Sequence, residues 1–281
     1  YIVGGSLVFD LQLSVGSVFA FITYSSYVTG PISAILNIGY LLSGIIPSTK
    51  RYYEFMDLQE ETESGKHLEP IFGKLRLQNV SFSYEVGKPV LRAINLTFPK
   101  GSKTALMGRN GSGKTTIFNL ITKSRELTEG TISLYGIDIN EYSKKSLELL
   151  DTKLAFMPSN IYFDDSLNVM QNMELICHHK AISPSEALFL VDASGINYKN
   201  MMSLNGLERI KVYLAGLLMS KPEALILDEP TGSLDSERSK VIYDILDKIH
   251  QMGVAIMVLT KKTDNLKKGY IIKTINNGRL I

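Results

Sequence analysis

Eight consecutive residues, Gly108, Arg109, Asn110, Gly111, Ser112, Gly113, Lys114 and Thr115, satisfy the pattern G-x-x-x-x-G-K-[ST]. Three glycines let a backbone wrap close around phosphates so that successive N–H groups point inward. A helix beginning at the Lys-Thr pair adds the partial positive charge of its N-terminus. In such a loop Lys114 reaches the β- and γ-phosphates of a nucleoside triphosphate, and the Thr115 hydroxyl holds magnesium. Thr116 follows in the first turn and is counted with the nucleotide contacts. The expected ligand is ATP with Mg2+. A second pair with chemical potential is Asp228-Glu229, which ends the apolar run Ala224–Leu227. At the C-terminal end of a parallel strand Asp228 faces the phosphate loop and orders the magnesium shell, while Glu229 polarises an attacking water as general base.

The elements that must hold these residues are legible in the pattern. Residues 103–108 read as a short apolar strand running into the loop, and residues 114–123 read as the helix leaving it. Residues 74–84 and 93–98 look like antiparallel strands. The acidic pair ends a buried strand, residues 236–253 form an amphipathic helix closed by Gly253, and 254–260 is another buried strand. Residues 269–281 predict a hairpin around Asn277-Gly278. Continuous apolar strands alternating with helices imply an α/β fold, a parallel sheet covered on both faces.

The 281 residues are long enough for one large domain and an appendage, and a net charge of +2 excludes a general nucleic-acid binder. A single cysteine, Cys177, excludes an internal disulfide framework. With His178 and His179 it forms a contiguous run, and neighbouring side chains point apart, so a zinc site is not expected. From Leu11 to Thr49 there is no Asp, Glu, Lys or Arg. That run has room for a tilted or kinked membrane helix, with Gly30-Pro31 in its middle; a buried helical hairpin is the alternative. Lys50 and Arg51 close it as basic residues do on the cytoplasmic side. The absence of an initiator Met suggests the back portion of something longer. From Arg51 the texture becomes charged and turn-rich, a linker.

Taken together, these motifs resemble an ATP-binding cassette (ABC) protein of the exporter type. The run Asp228–Asp235 is similar to that family's Walker B segment with its D-loop at Ser233, Leu234 and Asp235. Tyr84 stands where the family places an aromatic that stacks on adenine, and Glu129–Leu147 matches the stretch after the phosphate-loop helix. The resemblance implies three parts: the end of a transmembrane domain in residues 1–58 with its last helix over about 12–46, a linker over 59–74, and a nucleotide-binding domain over 75–281. That last domain would be a P-loop NTPase with a mostly parallel sheet, an antiparallel β-subdomain and a helical subdomain. The full-length protein would cross the cell membrane several times, with the nucleotide-binding domain in the cytoplasm.

Three positions depart from the family pattern. The L-S-G-G-Q signature falls on Leu204, Asn205, Gly206, Leu207 and Glu208, with bulk at Leu207 and charge at Glu208. The Q-loop glutamine falls on Ser159, too short to span the same gap. The switch histidine falls on Lys261, which offers charge but not an imidazole's geometry. The chain between Lys114 and Leu204 is also shorter than in exporters, without the acidic segment that precedes the signature. Catalysis is thus expected from Glu229, Lys114 and Lys261, and nucleotide contacts from Tyr84, residues 108–116, Ser159 and Asp228. Two functions compete. One is the ATPase subunit of an exporter that pairs with a second ABC subunit, the same or different, to move an unidentified substrate. The other is a regulatory subunit that binds ATP and turns it over slowly.

Overall fold

The computed structural model describes residues 14–32, 75–85, 87–134, 136–177, 179–261, 266 and 268–281. The chain divides into two units, Tyr1–Thr62 and Glu63–Ile281. In the first, residues 15–32 form helix α1, which runs through Gly30 and Pro31. Two of its hydroxyls bond back to the preceding turn: Thr23 donates to the Phe19 carbonyl (2.9 Å) and Ser26 to that of Ile22 (3.0 Å). Phe19, Phe21, Tyr24 and Tyr27 are exposed. No described helix is long and apolar enough to cross a membrane. Residues 33–46 of the expected span, and the linker over 59–74, lie outside the described residues.

The second unit is an α/β P-loop NTPase fold built on two sheets. The first is antiparallel, with β1 (Leu75–Glu85), β2 (Lys88–Phe98), β4 (Glu129–Leu134) and β5 (Ile137–Asp138) in the order β2-β1-β4-β5. The second contains β3 (Lys103–Met107), β6 (Leu154–Met157), β7 (Ala224–Asp228), β8 (Ala255–Thr260), β9 (Tyr270–Asn276) and β10 (Arg279–Leu280), ordered β10-β9-β3-β8-β7-β6. Its pairings are parallel from β9 to β6, and β10 returns antiparallel. Helix α2 (Lys114–Ile121) follows β3, and α3 (Lys144–Lys153) precedes β6. Between β6 and β7 lie α4 (Val169–Ile176), α5 (Pro184–Leu190) and α6 (Gly206–Leu218), and α7 (Ser236–Gln251) joins β7 to β8.

Strand periodicity explains how one sheet serves two cores. Leu225 and Leu227 of β7, with Ile256 and Val258 of β8, pack into the core under α4–α7. Ala224, Ile226, Ala255, Met257 and Leu259 alternate with them and pack against α2 and the antiparallel sheet. Side chains of a strand point to opposite faces in turn, so a strand buried on both faces is apolar at every position. Strand β2 begins at Lys88, earlier than the expected start at Ala93. Ala93 has a left-handed φ of 47°, and the register with β1 shifts from Val80↔Ile94 to Phe82↔Leu91. This bulge adds one residue and breaks the alternation that would have shown a continuous strand.

Candidate active site

The parallel sheet brings the sequence motifs to one edge. Gly108 follows β3, Asp228 ends β7, Ser159 lies just past β6 and Lys261 just past β8, and in register Met107 pairs with Thr260 and Asp228 with Leu259. All four therefore stand at the C-terminal ends of parallel strands, where open α/β sheets bind ligands.

The phosphate loop itself is short and tightly braced. Gly108 N–H donates to the Thr260 carbonyl (3.2 Å), and Ser112 N–H to that of Arg109 (3.1 Å). Gly113 has φ 106°, a conformation that strains any residue with a side chain, and a Cβ there would also press on Leu91 Cδ2 at 2.5 Å. Gly113 caps α2 without a side-chain hydrogen bond, and the first turn holds no acidic residue. The N-terminal N–H groups thus remain available to an anion. From behind, the Asn277-Gly278 turn of the β9–β10 hairpin props the loop. Both residues have positive φ (46° and 73°), as a type I′ turn requires, and Gly278 N–H donates to the Ser112 carbonyl (3.1 Å). Its carbonyl accepts from Arg92 N–H (2.8 Å). A side chain at position 278 would run into the Val90 carbonyl. Gly278→Val should therefore lower the thermal unfolding midpoint by several degrees, about 1–3 kcal/mol, and weaken ATP binding in a titration.

Lys114 and Glu229 face each other. The Lys114 ammonium donates to the carbonyls of Gly108 (2.8 Å) and Arg109 (3.2 Å) and lies 3.3 Å from Glu229 Oε1, with both side chains largely buried. Glu229 adopts a left-handed φ of 49°, which costs on the order of 1–3 kcal/mol for a non-glycine residue. The turn is held because Glu229 N–H donates to Leu259 O (2.8 Å) and its carbonyl accepts from Gly232 N–H (2.9 Å).

Asp228 is fully buried, and neither carboxylate oxygen has a hydrogen-bond partner among the described residues. Burial pushes its pKa above the usual carboxylate range, and Glu229 adds to this; the nearby Thr115 hydroxyl and Lys114 pull the other way. A buried, unpartnered carboxylate beside a threonine hydroxyl is a donor set that fits Mg2+, whose charge would offset the desolvation.

Tyr84 stands one residue before the end of β1 and is half exposed. The ring meets Phe82 edge-on at 4.8 Å, its hydroxyl is 3.3 Å from that of Thr116, and the Arg125 guanidinium sits 5.9 Å above it. This places a π-face next to the first turn of α2. Arg109, Asn110 and Gly111 lie on the exposed side of the loop, and Ser112 is buried. Ser159 and Lys261 are exposed, and Lys261 shares a cavity of about 120 Å3 with Glu229.

Residues 204–208 take no part in this constellation. Asn205 caps α6 by accepting from Glu208 N–H (3.0 Å), while a Glu208 carboxylate oxygen accepts from Asn205 N–H (2.9 Å). Lys199 lies 3.8 Å from Glu208. A residue that reading the sequence missed is Tyr243, a buried member of the apolar stripe of α7 that reaches the Glu229 cavity. Its place in a helical apolar pattern carries no signal of that contact.

A family model described as ABC transporter matches residues 91–232. The ATP-dependent lipid A-core flippase of Vibrio vulnificus is 28% identical over 89% of this chain and 45% of the flippase. The transport/processing ATP-binding protein ComA of Streptococcus pneumoniae is 29% identical over 99% of this chain and 41% of ComA. The chain thus spans less than half the length of these two relatives. Among solved structures, the dimeric ATP-binding cassette MJ0796 bound to ADP and Pi superposes with a TM-score of 0.64 at 25% identity, covering 73% of this chain and 96% of the cassette. A bacterial Atm1-family ABC exporter with ATP bound shares the fold with a TM-score of 0.71 at 19% identity, over 96% of this chain and 49% of the exporter. With a family match across half its length and the fold of these cassettes around a phosphate loop, this chain belongs to the ABC transporter family and carries its ATPase cassette.

Proposed function

We propose that this chain is the ATP-driven part of an exporter-type membrane protein that works as a pair of ABC subunits. The observation that carries the reading is the Lys114–Glu229 pair at 3.3 Å beside the buried, unpartnered Asp228, all at the open N-terminus of α2. ATP enters with its phosphates on the N–H groups of residues 108–116, Lys114 leaves Glu229 for the β- and γ-phosphates, and the base stacks on Tyr84. Thr115 and Asp228 would hold Mg2+, which would screen the phosphate charge. Glu229, released from its ion pair, orients water and accepts its proton. Ser159 and Lys261 stand at the same strand ends and contribute polar contacts near the γ-phosphate.

The dimeric state of MJ0796 supports a second ABC subunit here, the same chain or another, whose signature completes the site. Residues 1–58 then form the end of a transmembrane domain, 59–74 the linker and 75–281 the nucleotide-binding domain on the cytoplasmic side. The uncharged run Leu11–Thr49 and the exposed aromatic residues of α1 support this division, as do the flippase and ComA as relatives. A second reading, a low-turnover regulatory subunit, draws support from α6. There the carboxylate of Glu208 already occupies the helix N-terminus that would grip the partner's nucleotide. Steady-state phosphate release by the full-length protein in lipid vesicles, alone and with its partner subunit, tests the two. Turnover that depends on Glu229 supports the exporter reading; binding without release in both preparations supports the regulatory one.

A further inference from the structure

The cavity behind Glu229 holds a side chain that the apolar pattern of α7 does not explain. Ile242, Ile245, Leu246 and Ile249 of that helix are apolar and buried, as a core stripe requires. Tyr243 is equally buried at 2% exposure, yet its hydroxyl has no hydrogen-bond partner among the described residues. An orphaned buried hydroxyl needs a physical reason, since it forfeits its bonds to water. The cavity of about 120 Å3 is lined by Tyr243, Glu229, Thr231, Ser239, Thr260 and Lys261. So polar a space has room for water, which occupies about 30 Å3 per molecule in the liquid. Burial pushes the Tyr243 phenol above its ordinary pKa; the hydroxyls of Thr231 and Thr260 are close enough to oppose this, and the Glu229 charge adds to it.

We propose that Tyr243 is a positioning residue for hydrolysis: through cavity water, its O–H donates to the Glu229 carboxylate and fixes it once Lys114 has moved to the phosphates. The need arises from the geometry. Glu229 is held by Lys114 at 3.3 Å, and the same ammonium is what the incoming phosphates attract. Without a second anchor the carboxylate would lose its orientation when it has to act. No proton is transferred to or from Tyr243 in this role. The proposal rests on the reading of Glu229 as general base.

The test is Tyr243→Phe in the full-length protein with its partner subunit, followed by single-turnover hydrolysis, which reads slow chemistry as well as fast. The rate constant should fall roughly ten- to hundredfold, with ATP affinity unchanged. The unfolding midpoint should hold or rise, because phenylalanine removes an unpartnered polar atom and keeps the ring. A merely structural tyrosine would instead lower the midpoint and the affinity together. An unchanged rate, or a fall in rate matched by a fall in affinity, overturns the proposal. Glu229→Gln measured in parallel separates the two levels. If it abolishes hydrolysis while Tyr243→Phe does not alter it, the positioning role alone falls. If Glu229→Gln leaves hydrolysis intact, the general base and the proposal fall together.

Discussion

Glu229→Gln is expected to abolish phosphate release and to tighten ATP binding. Glutamine keeps the shape and the strained φ of 49°, so the turn between β7 and the following residues survives. What it removes is the proposed base, and a positioned general base contributes roughly 10²- to 10⁴-fold. It also removes the negative charge that competes for Lys114 at 3.3 Å. The ammonium then keeps its two carbonyl partners but is more readily drawn to phosphate, so the dissociation constant should fall severalfold. Pre-steady-state phosphate release gives the first effect and equilibrium nucleotide titration the second. Residual turnover within tenfold of the wild type would show that another group activates the water. Weaker binding would show that the ion pair does not oppose ATP.

Lys114→Met is expected to remove nucleotide binding with little change in fold. The Lys114 side chain is buried, so methionine fills nearly the same space, but the charge-assisted contacts to the phosphates are gone. Hydrogen bonds to charged groups contribute about 1.5–3 kcal/mol each, so affinity should drop roughly a hundredfold or more. Part of the loss is offset, because the wild-type ammonium gives up its contacts with the Gly108 and Arg109 carbonyls to reach phosphate and methionine has none to give up. Lys114→Arg should not restore binding. A planar guanidinium needs more room than an ammonium that sits between two loop carbonyls and a carboxylate. Isothermal titration with ATP, next to circular dichroism on the same samples, distinguishes lost binding from lost structure.

Pattern and spacing were enough for the phosphate loop, the strands that flank it, the acidic pair that ends β7 and the hairpin at Asn277-Gly278, because each is a local feature. A glycine-rich turn, a run of alternating or continuous apolar residues and a type I′ dipeptide leave their mark within a few neighbouring positions. The bulge at Ala93 hid the start of β2 because one extra residue reverses the alternation on which a strand is recognised. Helix α1 lies within the uncharged run Leu11–Thr49, which composition alone made legible.

What only the tertiary structure decided is which distant groups meet. Lys114 and Glu229 are far apart in the chain, and β7 and β3, which end beside them, are separated in the sheet by β8. Their encounter follows from strand order and parallel direction, which no local pattern encodes. The same holds for Gly278 under Ser112 and for the Tyr243 hydroxyl in the Glu229 cavity. The sequence by itself determined the chemistry the chain holds: a phosphate cradle, a cation and two carboxylates. The fold decided that these lie at one sheet edge, that Lys114 rests against Glu229, and that Glu208 is drawn into capping α6. Contacts of this kind depend on three-dimensional closeness between residues whose sequence separation carries no energetic trace.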